Sequence, residues 1–213
     1  MGWYARQIFP RLMDWLMRGP EFQRLRASLL AEARGDVLEI GFGTGLNLPH
    51  YPTSVTSLSI VDPAAMLPPL VARRIAQSAI PVHRQQVTAE ALPFRGHRFD
   101  TVVSTWTLCT IPDPVRALQE IQRVLKPSGR FLFLEHGRSD DPGVAAWQDR
   151  LNPIQNLLGC GCHLNRRIDR LIEQTGLTLK GTDRFLMEGV PRFIGEMYRG
   201  RAVPAGSAGV AVH

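Results

Sequence analysis

The sequence predicts an α/β fold built on a doubly wound, mostly parallel sheet, and three observations lead there. Strand-like and helix-like segments alternate along most of the chain, the first strand runs straight into a turn with glycine at alternate positions, and the last two strand-like runs have no helix between them. Alternation gives βαβ units and parallel pairing, whereas two strands joined by a short turn pair antiparallel. With 213 residues, 44% of them hydrophobic, the chain suits one well-buried core rather than two.

Residues 4–33 read as one or two amphipathic helices. Phe9, Met13, Leu16 and Met17 share a face, Gly19-Pro20 breaks it, and Phe22, Leu25, Leu29 and Leu30 resume it. Residues 1–34 are therefore expected to form a helical lid. The first strand starts at about Asp36 and enters the turn Gly41-Phe-Gly43-Thr-Gly45. A second strand, Ser57–Val61, ends at Asp62-Pro63. The alanine-rich segment Ala64–Ser78 follows as a helix whose start is limited by Pro68 and Pro69. Val82–Val87 is the third strand and Phe99–Ser104 a fourth, read as continuously buried. Pro114–Leu125 is a helix with Val115, Leu118, Ile121 and Leu125 inward, and Arg130–Glu135 is the fifth strand, after the turn Lys126-Pro-Ser-Gly129. A helix over Asn165–Gln174 precedes Leu177–Met187 and Pro191–Tyr198, which the turn Glu188-Gly-Val190 joins into an antiparallel hairpin. The small, non-periodic segment Ala202–His213 is expected to be a disordered tail without chemistry.

The formal charge is +6 and the pI about 9.9. Basic residues are interleaved with acids, as where Arg166, Arg167 and Arg170 neighbour Asp169 and Glu173, and no aromatic-flanked basic stripe occurs. This argues for a solvated face and against nucleic acid. No apolar run approaches the roughly 18 residues of a membrane span, and no secretory pattern opens the chain, so the expected location is cytoplasmic. Cys109, Cys160 and Cys162 give no even disulfide framework. Cys160-Gly-Cys162 lacks a second ligand pair, so no metal site is expected, and the cysteines read as small buried hydrophobes.

Glycine stands where φ must be positive or where a ligand comes closer than a Cβ permits. A dinucleotide site needs Gly-x-Gly-x-x-Gly and an acid some 20 residues on. Here the third glycine arrives one position early, and the acid is Asp62, at the end of the second strand. That acid suits the ribose of any adenosine ligand. The downstream residues must choose among them.

Glu39-Ile-Gly-Phe-Gly-Thr-Gly45, Asp62, Ala89-Glu-Ala-Leu-Pro-Phe94, Phe99-Asp-Thr-Val-Val-Ser104 and Leu125-Lys-Pro-Ser-Gly-Arg130 occur in the order and at the spacing of the class I S-adenosylmethionine-dependent methyltransferases. Over residues 35–201 the chain closely resembles that family. The resemblance implies a Rossmann-like seven-stranded sheet whose last strand is antiparallel, and S-adenosyl-L-methionine as cofactor. By position it implies Gly41, Gly43 and Gly45 against the methionine part, Glu39 supporting the loop and Asp62 on the ribose. Ala89 and Glu90 would border the adenine, next to a Thr88 that stands where many members have Asp. Ser104, Thr105 and Trp106 would floor the pocket. Glu90 also reads as a helix-start acid, and Trp106 as a core aromatic.

For the acceptor, Thr107-Leu-Cys109, Leu134-Glu-His136, Trp147-Gln148, Leu151-Asn-Pro153 and Gly159-Cys-Gly-Cys-His-Leu-Asn-Arg166 resemble the subfamily of alkyl-thiol methyltransferases, though the extra Gly-Cys-His departs from its pattern. This implies S-methylation of a small thiol in a pocket with Trp106, Cys109 and His136. His136 is then the candidate catalytic base, because a free thiol is only a few per cent ionised at neutral pH; a packing histidine is the alternative. Two other functions stay open. One is a phosphatidylethanolamine N-methyltransferase, whose soluble bacterial forms share the Gly43–Pro49 run. The other is an adenosylmethionine-binding protein without catalysis. Trp3, Tyr4, Ile8 and Phe9 among Arg6 and Arg11 suit a lid, with peripheral contact to a membrane surface as the alternative. The oligomeric state is not legible.

Overall fold

A computed structural model describes residues 3–64 and 67–206. Its strands are β1 (Gly35–Ile40), β2 (Val55–Val61), β3 (Val82–Gln85), β4 (Phe99–Thr105), β5 (Leu125–His136), β6 (Leu177–Leu186) and β7 (Glu196–Pro204). They form one sheet in the order β3-β2-β1-β4-β5-β7-β6. The pairs among β1 to β5 are parallel, and β7 lies antiparallel to both β5 and β6. The expected Rossmann-like doubly wound α/β sheet with an antiparallel last strand is what forms. The order reverses between β1 and β4, so the crevice at their carboxyl ends is where such a sheet takes a ligand.

A π-helical turn at Tyr4–Ile8 leads into α1 (Phe9–Leu16), and α2 (Pro20–Leu30) follows the Gly19 break. Next come α3 (Pro68–Ala76), α4 (Pro114–Val124), α5 (Pro142–Leu158), α6 (Ile168–Glu173) and the single turn α7 (Arg192–Gly195). Helices cover both faces of the sheet. On one, Leu118, Ile121 and Val124 of α4 and Ile168 and Ile172 of α6 meet Val102, Phe131, Phe133 and Tyr198. On the other, Leu25, Leu29 and Leu30 of α2 and Val71 of α3 meet Val37, Leu58, Val103, Leu132 and Leu134. A fully buried side chain of this size contributes about 1.5–3 kcal/mol. β1 and β4 carry apolar residues toward both layers, as a doubly covered parallel strand must.

Three expectations are corrected. The last strand begins at Glu196 rather than Pro191, because Pro191 caps a helical turn in which the Ile194 and Gly195 amides both return to its carbonyl at 2.9 Å. That strand runs on to Pro204, so the disordered tail does not begin at Ala202. Ala202 is fully buried, paired with Phe131 on one side and Leu179 on the other, and its small side chain suits that central place. Residues 207–213 of the expected tail lie outside the described residues. Lys126–Gly129 are not a separate turn but a bulge within β5, whose register with β4 jumps from Phe99↔Leu125 to Thr101↔Arg130. One helix was not legible at all. In α5 the Asp141 carboxylate accepts from the Gly143 and Val144 amides at 2.8 and 3.1 Å, a capped start, but Pro153 inside it masks the period.

Candidate active site

The glycine turn leaves the carboxyl end of β1 with Gly41, Gly43 and Gly45 at φ of +73°, +56° and +85°. They do different work. A Cβ on Gly41 would fall 2.1 Å from Thr107 Oγ1, and one on Gly45 would fall 2.8 Å from the Phe42 ring. A Cβ on Gly43 meets nothing within 4 Å among the described residues. The outer two glycines permit close packing, and Gly43 borders open space.

Asp62, at the end of β2, holds that turn. Its Oδ2 accepts from the Gly43 amide and its Oδ1 from the Ala64 amide, both at 2.8 Å. Each oxygen keeps a further lone pair for a ligand hydroxyl. Burial raises the Asp62 carboxyl above its ordinary range, against the two amide donors. Glu39 lies under the turn, fully buried, with Oε1 accepting from Asn47 Nδ2 at 2.9 Å and Oε2 from Tyr51 OH at 2.8 Å. Burial pushes it up to about 7, although both donors and the charge of Arg26 pull it down. Asn47 Nδ2 also reaches Thr105 Oγ1 at 3.0 Å, so the network spans β1, the turn and β4.

Trp106 follows β4 at φ +50°, a conformation costing a non-glycine residue about 1–3 kcal/mol. The guanidinium of Arg26 lies 4.7 Å from its ring centroid and the Phe22 ring 5.4 Å away, which ties α2 to this loop. Trp106 Nε1 is buried without a partner among the described residues. Strain and an unmet donor thus coincide at a residue that also packs against the core layer of α2.

Ser104 is fully buried, and its hydroxyl donates to Glu135 Oε1 at 2.7 Å. Glu135 Oε2 accepts from the Thr107 and Leu108 amides at 2.8 and 3.1 Å. Glu135 thus fixes the loop that carries Trp106 and Cys109, an organising role no spacing signals. Ala89 is buried after β3. Glu90 turns toward the start of α4, where Oε1 accepts from the Asp113 amide at 3.4 Å and its carbonyl from Arg116 Nε at 3.0 Å.

Cys109, His136 and Cys162 come together, all buried. His136 Nε2 lies 2.9 Å from Cys162 Sγ, and that sulfur lies 3.7 Å from Cys109 Sγ. Sequence spacing had grouped Cys162 with Cys160, which is only half-buried and outside this cluster. Burial lowers the His136 imidazole, but Cys162 and Glu135 outweigh it and leave it above its ordinary value. The Cys109 and Cys162 loops are laced together, with the His163 amide donating to the Cys109 carbonyl at 2.9 Å. Arg166 Nη1 donates to the carbonyls of Leu108 and Ile111, the latter at 2.7 Å.

The N-terminal helices reach this region too. Asp14 of α1 pairs with Arg74 of α3, and Arg74 donates to the Thr44 carbonyl within the glycine turn. Beside this pair a cleft of about 540 Å³ opens between α1 and α3, lined by Arg11, Trp15, Arg18, Leu67 and Leu70. Tyr4 OH donates to the Leu158 carbonyl at 3.0 Å, bringing α5 alongside the N-terminal turn.

A family model described as a methyltransferase domain matches residues 38–133, from β1 into β5. Phosphatidylethanolamine N-methyltransferase of Cereibacter sphaeroides is 32% identical over 176 residues, which cover 78% of this chain and 86% of that protein. The chain belongs to the class I S-adenosylmethionine-dependent methyltransferases. The thiol S-methyltransferase TMT1B of Rattus norvegicus is 34% identical over 143 residues, 65% of this chain, and the match spans 58% of that relative's length. A solved S-adenosylmethionine-dependent methyltransferase of Thermotoga maritima shares the fold, with TM-score 0.65 at 20% identity over 92% of this chain and 97% of its own. The site fits a methyltransferase's cofactor: Gly43 leaves space where any side chain would intrude, and Asp62 keeps acceptor capacity beside it. No helix among the described residues is long and apolar enough to cross a membrane.

Proposed function

We propose that this methyltransferase transfers a methyl group to a small thiol. The single observation that carries the cofactor side is Gly43, whose missing Cβ leaves open space while the Asp62 carboxylate locks its amide. When bound, S-adenosylmethionine supplies an electrophilic methyl group on a sulfonium. Gly41, Gly43 and Gly45 would hold its methionine part, Glu39 would brace the turn, and Asp62 would hold the ribose. Ala89 and Glu90 would border the adenine through their backbone, since the Glu90 carboxylate faces Asp113. The chain aligns and dehydrates the reacting pair, which is most of what an in-line displacement asks of it. Ser104 contributes through Glu135, and Trp106 and Cys109 line the acceptor side.

The thiol reading is supported by the loops carrying Cys109 and Cys162, which resemble the thiol methyltransferases and are laced by Arg166 and His163. His136 would take the acceptor's proton once its contact with Cys162 opens. Residues 1–34 would act as a lid on the domain from residue 35 to 204, with Asp14 and Arg74 as the tie.

A second reading, N-methylation of phosphatidylethanolamine, is favoured by the relative of that name and by one surface. Trp3, Ile8, Leu12 and Trp15 at the N-terminus and Trp147, Ile154, Leu157 and Leu158 on α5 are all exposed. Apolar residues with Arg6 and Arg11 among them suit peripheral contact with a lipid surface. A scan with methyl-labelled cofactor decides among the readings. Label on a small alkyl thiol supports the first, label on ethanolamine lipid in liposomes replaces it with the second, and label that never leaves the cofactor with either pool returns the non-catalytic reading.

A further inference from the structure

We propose that Cys109, His136 and Cys162 form a binding site for Zn²⁺. The three donor atoms, two Sγ and Nε2, all lie within 4.8 Å of one another. They come from the loop after β4, the end of β5 and the loop after α5, three segments that meet only in the folded chain. Two thiolates at about 2.3 Å from one tetrahedral zinc stand about 3.8 Å apart. Cys109 Sγ and Cys162 Sγ stand 3.7 Å apart. The sulfur–nitrogen edge of such a tetrahedron is about 3.5 Å, so the 2.9 Å contact between His136 Nε2 and Cys162 Sγ lengthens by about 0.6 Å on binding.

The surrounding chain prepares this set. Cys160 at φ +51° and Gly161 at φ +100° make a left-handed reversal just before Cys162. The amide of His163, the next residue, is fixed to the Cys109 carbonyl. Two thiolates and a neutral imidazole bring the charge of a divalent ion to zero, which a buried place requires. Soft sulfur with imidazole selects zinc over magnesium or calcium, which take oxygen. A disulfide between the two sulfurs would need them about 2 Å apart and would leave the buried imidazole beside a far poorer partner. Three protein ligands leave the fourth position of zinc for water or a thiolate. The inference rests on no choice of methyl acceptor. Metal on Nε2 excludes a proton there, so His136 acts as a base only in metal-free protein.

The test uses the full chain, reduced and freed of metal, titrated with Co²⁺ as a spectroscopic stand-in and then with Zn²⁺. Wild type is expected to give thiolate-to-cobalt charge-transfer bands and tetrahedral visible bands at one equivalent, lost on adding one equivalent of Zn²⁺. C109S and C162S are expected to bind at least 100-fold more weakly and His136→Ala at least 10-fold, while C160S matches wild type. Absence of charge-transfer bands in wild type, or unchanged bands in C109S, overturns the site. Should a cysteine variant fail to fold, Zn²⁺ protection of wild-type Cys109 and Cys162 from iodoacetamide, read by peptide mass mapping, replaces it. Equal labelling with and without Zn²⁺ then overturns the proposal.

Discussion

Asp14 Oδ1 and Arg74 Nη1 lie 2.6 Å apart, and the same Arg74 nitrogen donates to the Thr44 carbonyl at 2.7 Å. One guanidinium therefore joins the N-terminal helix to the glycine turn. Burial raises the Asp14 carboxyl, but donation from Arg74 and Thr44 and the charges of Arg74 and Arg18 leave it below its ordinary value. Removing one member of a buried pair leaves the other's charge uncompensated and costs about 3 kcal/mol or more. Asp14→Ala is expected to lower the melting temperature by about 6–12 °C and to weaken cofactor binding at a temperature where the fold persists. Unchanged cofactor affinity in the folded variant would show that α1 does not act on the turn.

Gly43 and Gly41 separate binding from fold. Gly43→Ala adds a methyl group to open space at a strained φ, which costs about 1–2 kcal/mol of stability, while the methyl occupies the room assigned to cofactor. Gly41→Ala drives a Cβ into Thr107 and is expected to unfold or rearrange the β1–β4 crevice. Circular dichroism with calorimetric titration of adenosylhomocysteine reads both. A Gly43→Ala protein that binds like wild type means that the cofactor does not lie there.

Asp62→Asn keeps the side chain's size but removes the charge and one amide acceptor. Hydrogen bonds to a charged group are worth about 1.5–3 kcal/mol, so cofactor affinity is expected to fall about 10- to 100-fold with the circular dichroism spectrum retained. Comparable affinity in the two proteins would end the ribose assignment.

The crevice was legible because its cause is local. A buried strand, alternating glycines and an acid at the next strand's end are a contiguous signal, and β1, β2 and the turn lie within a few residues of their expected places. The features that stayed hidden depend on residues far apart in the chain. Asp14 and Arg74 are 60 positions apart, and Cys109 and Cys162 are 53 apart. No periodicity encodes such meetings, and only the packing of helices and loops in the folded chain produces them. Pro153 and Pro191 misled for another reason: Pro153 breaks the helical pattern on paper although α5 runs through it, and Pro191, expected to open a strand, caps a helical turn. Glu135 shows a third case, because two quoted segments, Thr107-Leu-Cys109 and Leu134-Glu-His136, meet through backbone amides that no residue type announces.

Glu39 sets a pH dependence whose sign comes from its burial. Its carboxyl rises from an ordinary 4.5 to about 7, with burial as the largest cause. Between those values the folded protein retains a proton that the unfolded chain has released. Stability therefore falls as pH rises across that interval, by about 1.4 kcal/mol per unit and about 3 kcal/mol in all, and is flat on either side. Glu39→Gln cannot titrate, yet its amide still accepts from Asn47 and meets the Tyr51 hydroxyl. Urea unfolding of both proteins at pH 5, 6, 7 and 8 is expected to show wild type losing ground to Glu39→Gln up to pH 7 and none beyond. A difference that stays constant, or that favours wild type with rising pH, would mean that Arg26 holds Glu39 ionised in the folded state. The carboxylate beneath the glycine turn would then be a fixed charge rather than a protonated brace.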